Sequence, residues 1–175
     1  MTSHWSRSWR ADPRARGLAD RHYNRQHVGA DQFVPPGRCH VLLTRDADAL
    51  WITSWPLPEF VRHRWPGAWV CSCFRNESDV RASDLILEAI AHTRGRWPTP
   101  AEGFVTFVDP RKVPPVMRRG EPIYGYCFLK AGFTHVGFTE EDGLWAWHLE
   151  PSQMPAPAFT LTAPLWSGEE SVCCR

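Results

Sequence analysis

Residues 68–93 read Ala68-Trp69-Val70-Cys71-Ser72-Cys73-Phe74, then a polar run from Arg75 to Ala82, then Ser83-Asp84-Leu85-Ile86, with Ala89, Ile90 and Thr93 at helical spacing. The first block is apolar and β-prone, which predicts a strand. The last block predicts a helix by its period. Ser83 serves as its N-cap, Asp84 sits in its first turn, and Gly95 ends it. Beyond the helix, Gly103-Phe104-Val105-Thr106-Phe107-Val108-Asp109 has an almost continuous apolar face, as a buried central strand does. Pro110 stops it. A helix flanked by two such strands implies a right-handed crossover and a mixed sheet, so the expected class is α/β (α+β).

Upstream, His40-Val41-Leu42-Leu43-Thr44 and Ala49-Leu50-Trp51-Ile52-Thr53-Ser54-Trp55 read as an antiparallel hairpin turned by Asp46-Ala47-Asp48. Pro56, Pro58 and Pro66 break the loop that follows. Residues 1–20 are polar and Arg-rich, with Asp12-Pro13 as a breaker, and predict a short helix or a loose arm. Downstream, a basic, Pro-containing loop runs from Arg111 to Pro122. Tyr124 to Ala131 fits a short helix closed by Gly132. Thr134–Thr139 and Leu144–Leu149 form a last hairpin around Glu141-Asp142-Gly143. The 175 residues suit one domain, 1–150, followed by a Pro-rich tail, 151–175, that hugs the surface or hangs loose.

A formal net charge of +1 gives no bulk field that would draw the chain to nucleic acid or membrane. Its cations are lopsided: 18 Arg against Lys112 and Lys130 alone. Arg grips phosphate in a planar fork, although codon bias toward Arg produces the same excess. The six cysteines lack zinc spacing; Cys71 and Cys73, two apart on a strand, are expected on one face, and Cys173-Cys174 are vicinal. No signal peptide and no membrane-length apolar run is seen, so reduced thiols in a cytoplasmic protein without a membrane partner are expected.

Three places carry chemistry. The N-terminus of the 83–93 helix offers backbone N–H groups to an anion, with Arg75 and Arg81 close by; the same pattern also describes an ordinary crossover loop. Asp109 ends a buried strand, at the carboxyl edge where open α/β sheets place ligands; it fits either a proton acceptor or an Asx turn with Pro110. The segment Arg21-His22-Tyr23-Asn24-Arg25 is dense in hydrogen-bonding groups. His22 and Asp109 are each competent ligands for a divalent metal.

The run Tyr126-Cys127-Phe128-Leu129-Lys130-Ala131-Gly132-Phe133-Thr134-His135-Val136-Gly137-Phe138 resembles the C-terminal signature of GNAT acyltransferases, where a short helix carries an aromatic four residues before a Gly-Phe pair and leads into a strand. The resemblance covers roughly residues 40–149. It implies a mixed, mostly antiparallel central sheet flanked by helices. It also implies acetyl-CoA or another acyl-CoA as cofactor, held by Phe74, Arg75, Arg81, Ala82, Ser83 and Phe128. The family's phosphate loop carries glycines, and Arg75–Ser83 has none. Within that superfamily, His22-Tyr23-Asn24, Phe107-Val108-Asp109-Pro110 and Phe128-Leu129-Lys130-Ala131-Gly132-Phe133 are similar, in order, to three short motifs of the phage Mom-type DNA modification enzymes. That likeness implies His22 and Asp109 in the active site, with a divalent metal such as iron as a further cofactor. The family's helix Tyr is Phe128 here; Tyr126 or Tyr124 takes its place, or the role is absent.

A DNA substrate would put phosphate contacts on Arg111, Lys112, Arg118 and Arg119, four cations in ten residues, and on Arg21, Tyr23 and Arg25. It also requires a slot for an extruded base, for which Trp51, Trp55, Tyr23 and Trp69 are candidates. The expected function is therefore Mom-like modification of the exocyclic amine of adenine in double-stranded DNA, by a monomer or homodimer. The alternatives are a conventional GNAT N-acetyltransferase acting on a small amine or protein, and a GNAT-shaped binding protein without catalysis.

Overall fold

The computed structural model describes residues 3–159. Twelve helices and strands follow in chain order: β1 (Trp5–Ser8), α1 (Pro13–Asp20), β2 (Arg38–Thr44), β3 (Ala49–Trp55), β4 (Trp69–Asn76), α2 (Ala82–Arg96), β5 (Phe104–Val108), β6 (Val116–Arg118), β7 (Glu121–Ile123), α3 (Tyr126–Lys130), β8 (Thr134–Phe138) and β9 (Trp145–Leu149). Seven strands form one sheet in the order β1-β2-β3-β4-β5-β9-β8, and β6 pairs with β7 separately. Every pair in the large sheet is antiparallel except β4–β5, which α2 connects in parallel. The class is thus mixed α/β with a mostly antiparallel sheet. No helix among the described residues is long and apolar enough to cross a membrane.

Two apolar layers hold the sheet. One face carries Trp5, Trp51, Trp69, Phe104, Phe133 and Trp147 against Leu85, Ile86, Ala89 and Ile90 of α2, all buried. The other carries Val41, Leu43, Leu50 and Ile52 against Ala15, Leu18 and Ala19 of α1. Each fully buried Leu, Ile or Phe contributes roughly 1.5–3 kcal/mol. Some polar atoms inside the first layer find partners, although Trp69 Nε1 has none. Trp51 Nε1 donates to Thr53 Oγ1 at 2.7 Å, Thr53 meets Thr93 of α2 at 3.1 Å, and Trp5 Nε1 donates to the Leu85 carbonyl at 3.0 Å.

Several local expectations change. Asp12-Pro13 starts a helix instead of breaking one: Asp12 Oδ1 accepts from Arg14 N at 3.0 Å, and Pro13 occupies the first turn, where its missing N–H has no cost. α2 begins at Ala82, with Arg81 as an N-cap that makes no side-chain bond, so Ser83 is a buried first-turn residue and not the cap. The loop before it closes early because Asn76 Nδ2 donates to the Val80 carbonyl at 2.8 Å while Asn76 Oδ1 accepts from Ser78 N at 3.0 Å. The loop 111–122 contains the β6–β7 hairpin, turned on Arg119 and Gly120, both at positive φ (51° and 84°), as a two-residue hairpin turn demands.

Cys71 and Cys73 do not share a face. Cys71 packs with the α2 layer and Cys73 with the α1 layer. The cause is a β-bulge: Thr53 faces Cys71 and Ile52 faces Cys73, leaving Ser72 as an extra residue that resets the alternation. The four described cysteines are free thiols; Cys173 and Cys174 lie outside the described residues. Of the tail, Met154 is buried and Ala158 N donates to the Ala91 carbonyl at 2.9 Å, so this stretch hugs α2.

Candidate functional site

The parallel pair β4–β5 is joined only from Trp69↔Phe104 to Cys71↔Thr106. Past that point β4 runs on to Asn76 and β5 to Val108 with no further pairing between them. The parting coincides with the Ser72 bulge, and a bulged strand bends. Between the carboxyl ends of the two strands lies a cavity of about 440 Å³, walled by Cys71, Ser72, Phe74, Arg75, Thr106, Phe107, Lys112, Gly125, Cys127 and Phe128 together with Arg21, His22, Tyr23 and Asn24. This is where an open α/β sheet receives ligands.

The segment after α1 spans the gap. Asn24 Nδ2 donates to the Ser72 carbonyl on β4 at 3.0 Å, and Tyr23 OH donates to the Phe107 carbonyl on β5 at 3.2 Å. A carbonyl only accepts, so Asn24 must turn its NH₂ to Ser72 and its Oδ1 to His22 Nδ1, with which it forms a short hydrogen bond. The Asn24 backbone N–H also reaches Nδ1, at 3.4 Å, so Nε2 keeps a lone pair in the tautomer whose Nδ1–H donates to Asn24 Oδ1. Burial lowers the His22 pKa and the Arg75 guanidinium adds to that effect, against the bonds to Asn24 and to the Phe74 backbone. Burial pushes the Tyr23 phenol up to about 12. The two rings stack at 4.5 Å.

Compared with known proteins, the chain matches no family model, no curated protein and no solved structure.

The floor of the cavity is apolar. Phe74 and Phe128 meet edge to face at 6.3 Å, and Phe128 rests on Phe133 at 5.5 Å. Gly125 permits this packing: its φ is +77°, and a Cβ there would stand 2.9 Å from both Trp147 Nε1 and Val108 Cγ2. Burial raises the thiols of Cys127 (to about 11), Cys73 (to about 12) and Cys71, so they are neutral walls and not nucleophiles.

The expected residues divide into those at the cavity and those elsewhere. His22, Tyr23, Arg21, Phe74, Arg75, Lys112 and Phe128 line it. Arg21 and Arg75 are both held by Glu77, at 2.7 Å and 2.6 Å, and these bonds keep the Glu77 carboxyl down at about 2. Asp109 does not line the cavity. Its Oδ1 accepts from Arg111 N at 2.9 Å and its carboxylate grips the Arg111 guanidinium at 2.8 and 3.0 Å, an Asx turn that holds its pKa below the usual value. That turn presents Lys112 to the cavity, since Lys112 N donates to the Asp109 carbonyl at 3.1 Å. Arg25 is bound by Asp20 at 2.8 Å and by the Gln32 and Ala30 carbonyls, so it ties a loop. Tyr126 is outside the cavity lining, with Arg118 over its ring at 4.8 Å. Arg119 sits exposed at the tip of the β6–β7 hairpin.

The residues present do not fit a metal ion. Among the described residues no group of three His, Cys, Asp or Glu side chains is placed to hold a metal ion, and the Asp109 carboxylate is already occupied by Arg111. They fit a phosphate better. Arg81, the N-cap of α2, and Ala82 and Ser83 in its first turn do not line the cavity; that turn has no side-chain cap, which suits an anion, and it also carries Asp84.

A second hollow of about 780 Å³ was missed in the sequence. Ser72 and Phe107 line it as well as the cavity, and it continues along Ser54, Phe60, His63, Trp65, Ala146 and Phe138. The base-slot candidates Trp51 and Trp69 are fully buried in the core, and Trp55 packs on Trp69. The aromatic wall belongs instead to residues of the Pro-broken loop after β3. The signal there was His63-Arg64-Trp65 beside Phe60 in a loop too apolar to be mere solvent-exposed chain.

Proposed function

We propose that the protein is a GNAT-fold transferase of the Mom type that modifies the exocyclic amine of adenine in DNA. The single observation that carries this reading is the bridging of β4 and β5 by His22-Tyr23-Asn24. Three sequence-distant pieces that resemble Mom motifs, at 22–24, 107–110 and 128–133, meet around one cavity through His22, Phe107 and Phe128. The sheet order and the helices on its two faces suit the same reading.

His22 is the proposed base. It takes the proton of the attacking amine at Nε2, in the tautomer whose Nδ1–H donates to Asn24 Oδ1. When bound, an acyl-CoA would supply an activated thioester carbonyl to the amine. Phe74 and Phe128 keep water from the reacting atoms. The first turn of α2 and Arg81 hold the donor's phosphates. Asp109 is a positioning residue: it locks Arg111 and sets Lys112 at the cavity rim. Lys112, Arg118 and Arg119 meet the DNA backbone.

A second reading, an N-acetyltransferase of small amines, is favoured by one fact: Glu77 neutralises much of the charge of Arg21 and Arg75. Nucleoside mass spectrometry of DNA from expressing cells tests the first reading. A mass-shifted adenine nucleoside is expected, reduced roughly 10²–10⁴-fold by His22→Ala. Unmodified DNA beside folded, abundant protein overturns it, and acetyl transfer to a small amine then supports the second.

A further inference from the structure

The 780 Å³ hollow is within the size range of ligand sites, and its chemistry is uneven along its length. At its centre Phe107, His63 and Trp65 form a cluster of rings, His63 lying 5.1 Å and Trp65 6.4 Å from Phe107. At its mouth Phe60 is 77 % exposed and Phe138 61 % exposed, two flat apolar faces left in water. Its lining includes Arg38, Arg62 and Arg64, with Arg64 over the Trp65 ring at 4.4 Å and donating to the Val136 carbonyl of β8, and it also includes Glu140, Glu141 and Asp142 just past β8.

We infer that this hollow seats an unpaired nucleotide of a DNA strand; the inference rests on the DNA-modifying reading and names where the acceptor lies. Aromatic faces in water stack bases of any identity, and arginines beside them hold the phosphates. Glu140, Glu141 and Asp142 repel phosphate, so the backbone is held by the arginines and the base is turned toward the rings. Ser72 and Phe107 separate the hollow from the cavity that holds His22. A base resting on Phe107 therefore reaches the gap between β4 and β5 from one face of the sheet, while the donor occupies the cavity. The parting of the two strands is what joins the two compartments.

Fluorescence anisotropy on the full chain tests this, with a labelled single-stranded oligonucleotide of mixed sequence and with the same strand in duplex form. The single strand is expected to bind, with affinity falling about tenfold in Phe60→Ala. Phe138→Ala, also exposed, should weaken it in the same sense, and circular dichroism should show both variants folded. Wild-type affinity retained in both variants overturns the inference. So does binding of the duplex with none of the single strand, or no DNA binding at all. Adenine modification that persists in a folded Phe60→Ala, Phe138→Ala double variant sinks the hollow and leaves the proposed function standing. Ring-dependent binding without any modified nucleoside does the reverse.

Discussion

The two ends of the β4–β5 pair differ more than any two neighbouring regions of the molecule. At the closed end Trp69 faces Phe104 in register, both fully buried, and the rings meet at 5.9 Å. At the open end the same strands part, and the space is taken by His22, Tyr23 and Asn24 from another part of the chain. Composition changes little between the ends, since Cys71, Cys73 and Phe74 are as apolar as Trp69 and Val70. What differs is one inserted residue. Ser72 faces no residue on β3, and from there β4 no longer runs alongside β5. A packed end and an open end with a cavity meet at this one bulge.

The strongest way to break that comparison is to delete Ser72. Cys71 and Cys73 would then alternate as ordinary strand neighbours and keep the faces they already occupy, so the core survives. β4 would straighten and extend its pairing with β5, closing the cavity. The expected result is an unchanged or raised Tm and a loss of modification of at least about 100-fold, because displacements of about 1 Å already cost that much. A deletion variant that stays active detaches the site from the bulge.

Phe104→Ala probes the closed end. A fully buried ring there should cost roughly 3–5 kcal/mol in urea unfolding. Phe74→Ala at the open end should cost half of that or less, since its ring is half-buried and part of it already faces the cavity. Equal costs would mean that the open end is packed as tightly as the closed one.

A third difference is protonic. His40 on β2 is buried on the closed side, near Arg7, Arg96 and His92, and neither ring nitrogen has a hydrogen-bond partner. Burial first, and then those neighbours, push its pKa down to about 3. The unfolded chain binds this proton below about 6.5 and the folded chain does not until about 3, so stability falls as pH drops through that window. The slope is on the order of 1.4 kcal/mol per pH unit. His40→Phe should flatten the acid limb of a pH–Tm curve, whereas His22→Ala, at the open end, should change activity far more than this limb.

Much of this arrangement was legible in the chain. The strands expected at 40–44, 49–55, 68–74 and 103–109 announce themselves by apolar, β-prone runs, and α2 by its period. His22 was singled out by the resemblance of His22-Tyr23-Asn24 to a Mom-type motif, and it lines the cavity. The bulge was not legible, because an extra Ser leaves composition and alternation almost intact over a short strand. Asp109 was ambiguous for a physical reason: an Asp before a Pro and an Arg serves a turn as well as it serves a site, and only the position of Arg111 decides which bonds form. Phe60, His63 and Trp65 were hidden because their joint face is created by the sheet beneath them.

The smallest expected effect concerns the charge at the open end. Glu77 grips both Arg21 and Arg75, so three side chains present a net charge of about +1 where DNA would need more. Glu77→Gln frees the two guanidiniums. Stability should change by less than about 1 kcal/mol, as for other exposed ion pairs. If the cavity rim meets phosphates, affinity for single-stranded DNA at low salt should rise, and the slope of log K against log salt should steepen by about 0.7 for each cation newly engaged. An unchanged slope would assign Arg21 and Arg75 to holding the 21–24 segment in place, since Arg75 also donates to the Arg21 carbonyl at 2.7 Å. Phosphate contact would then fall to Lys112, Arg118 and Arg119, whose alanine variants should each flatten the slope by a similar amount.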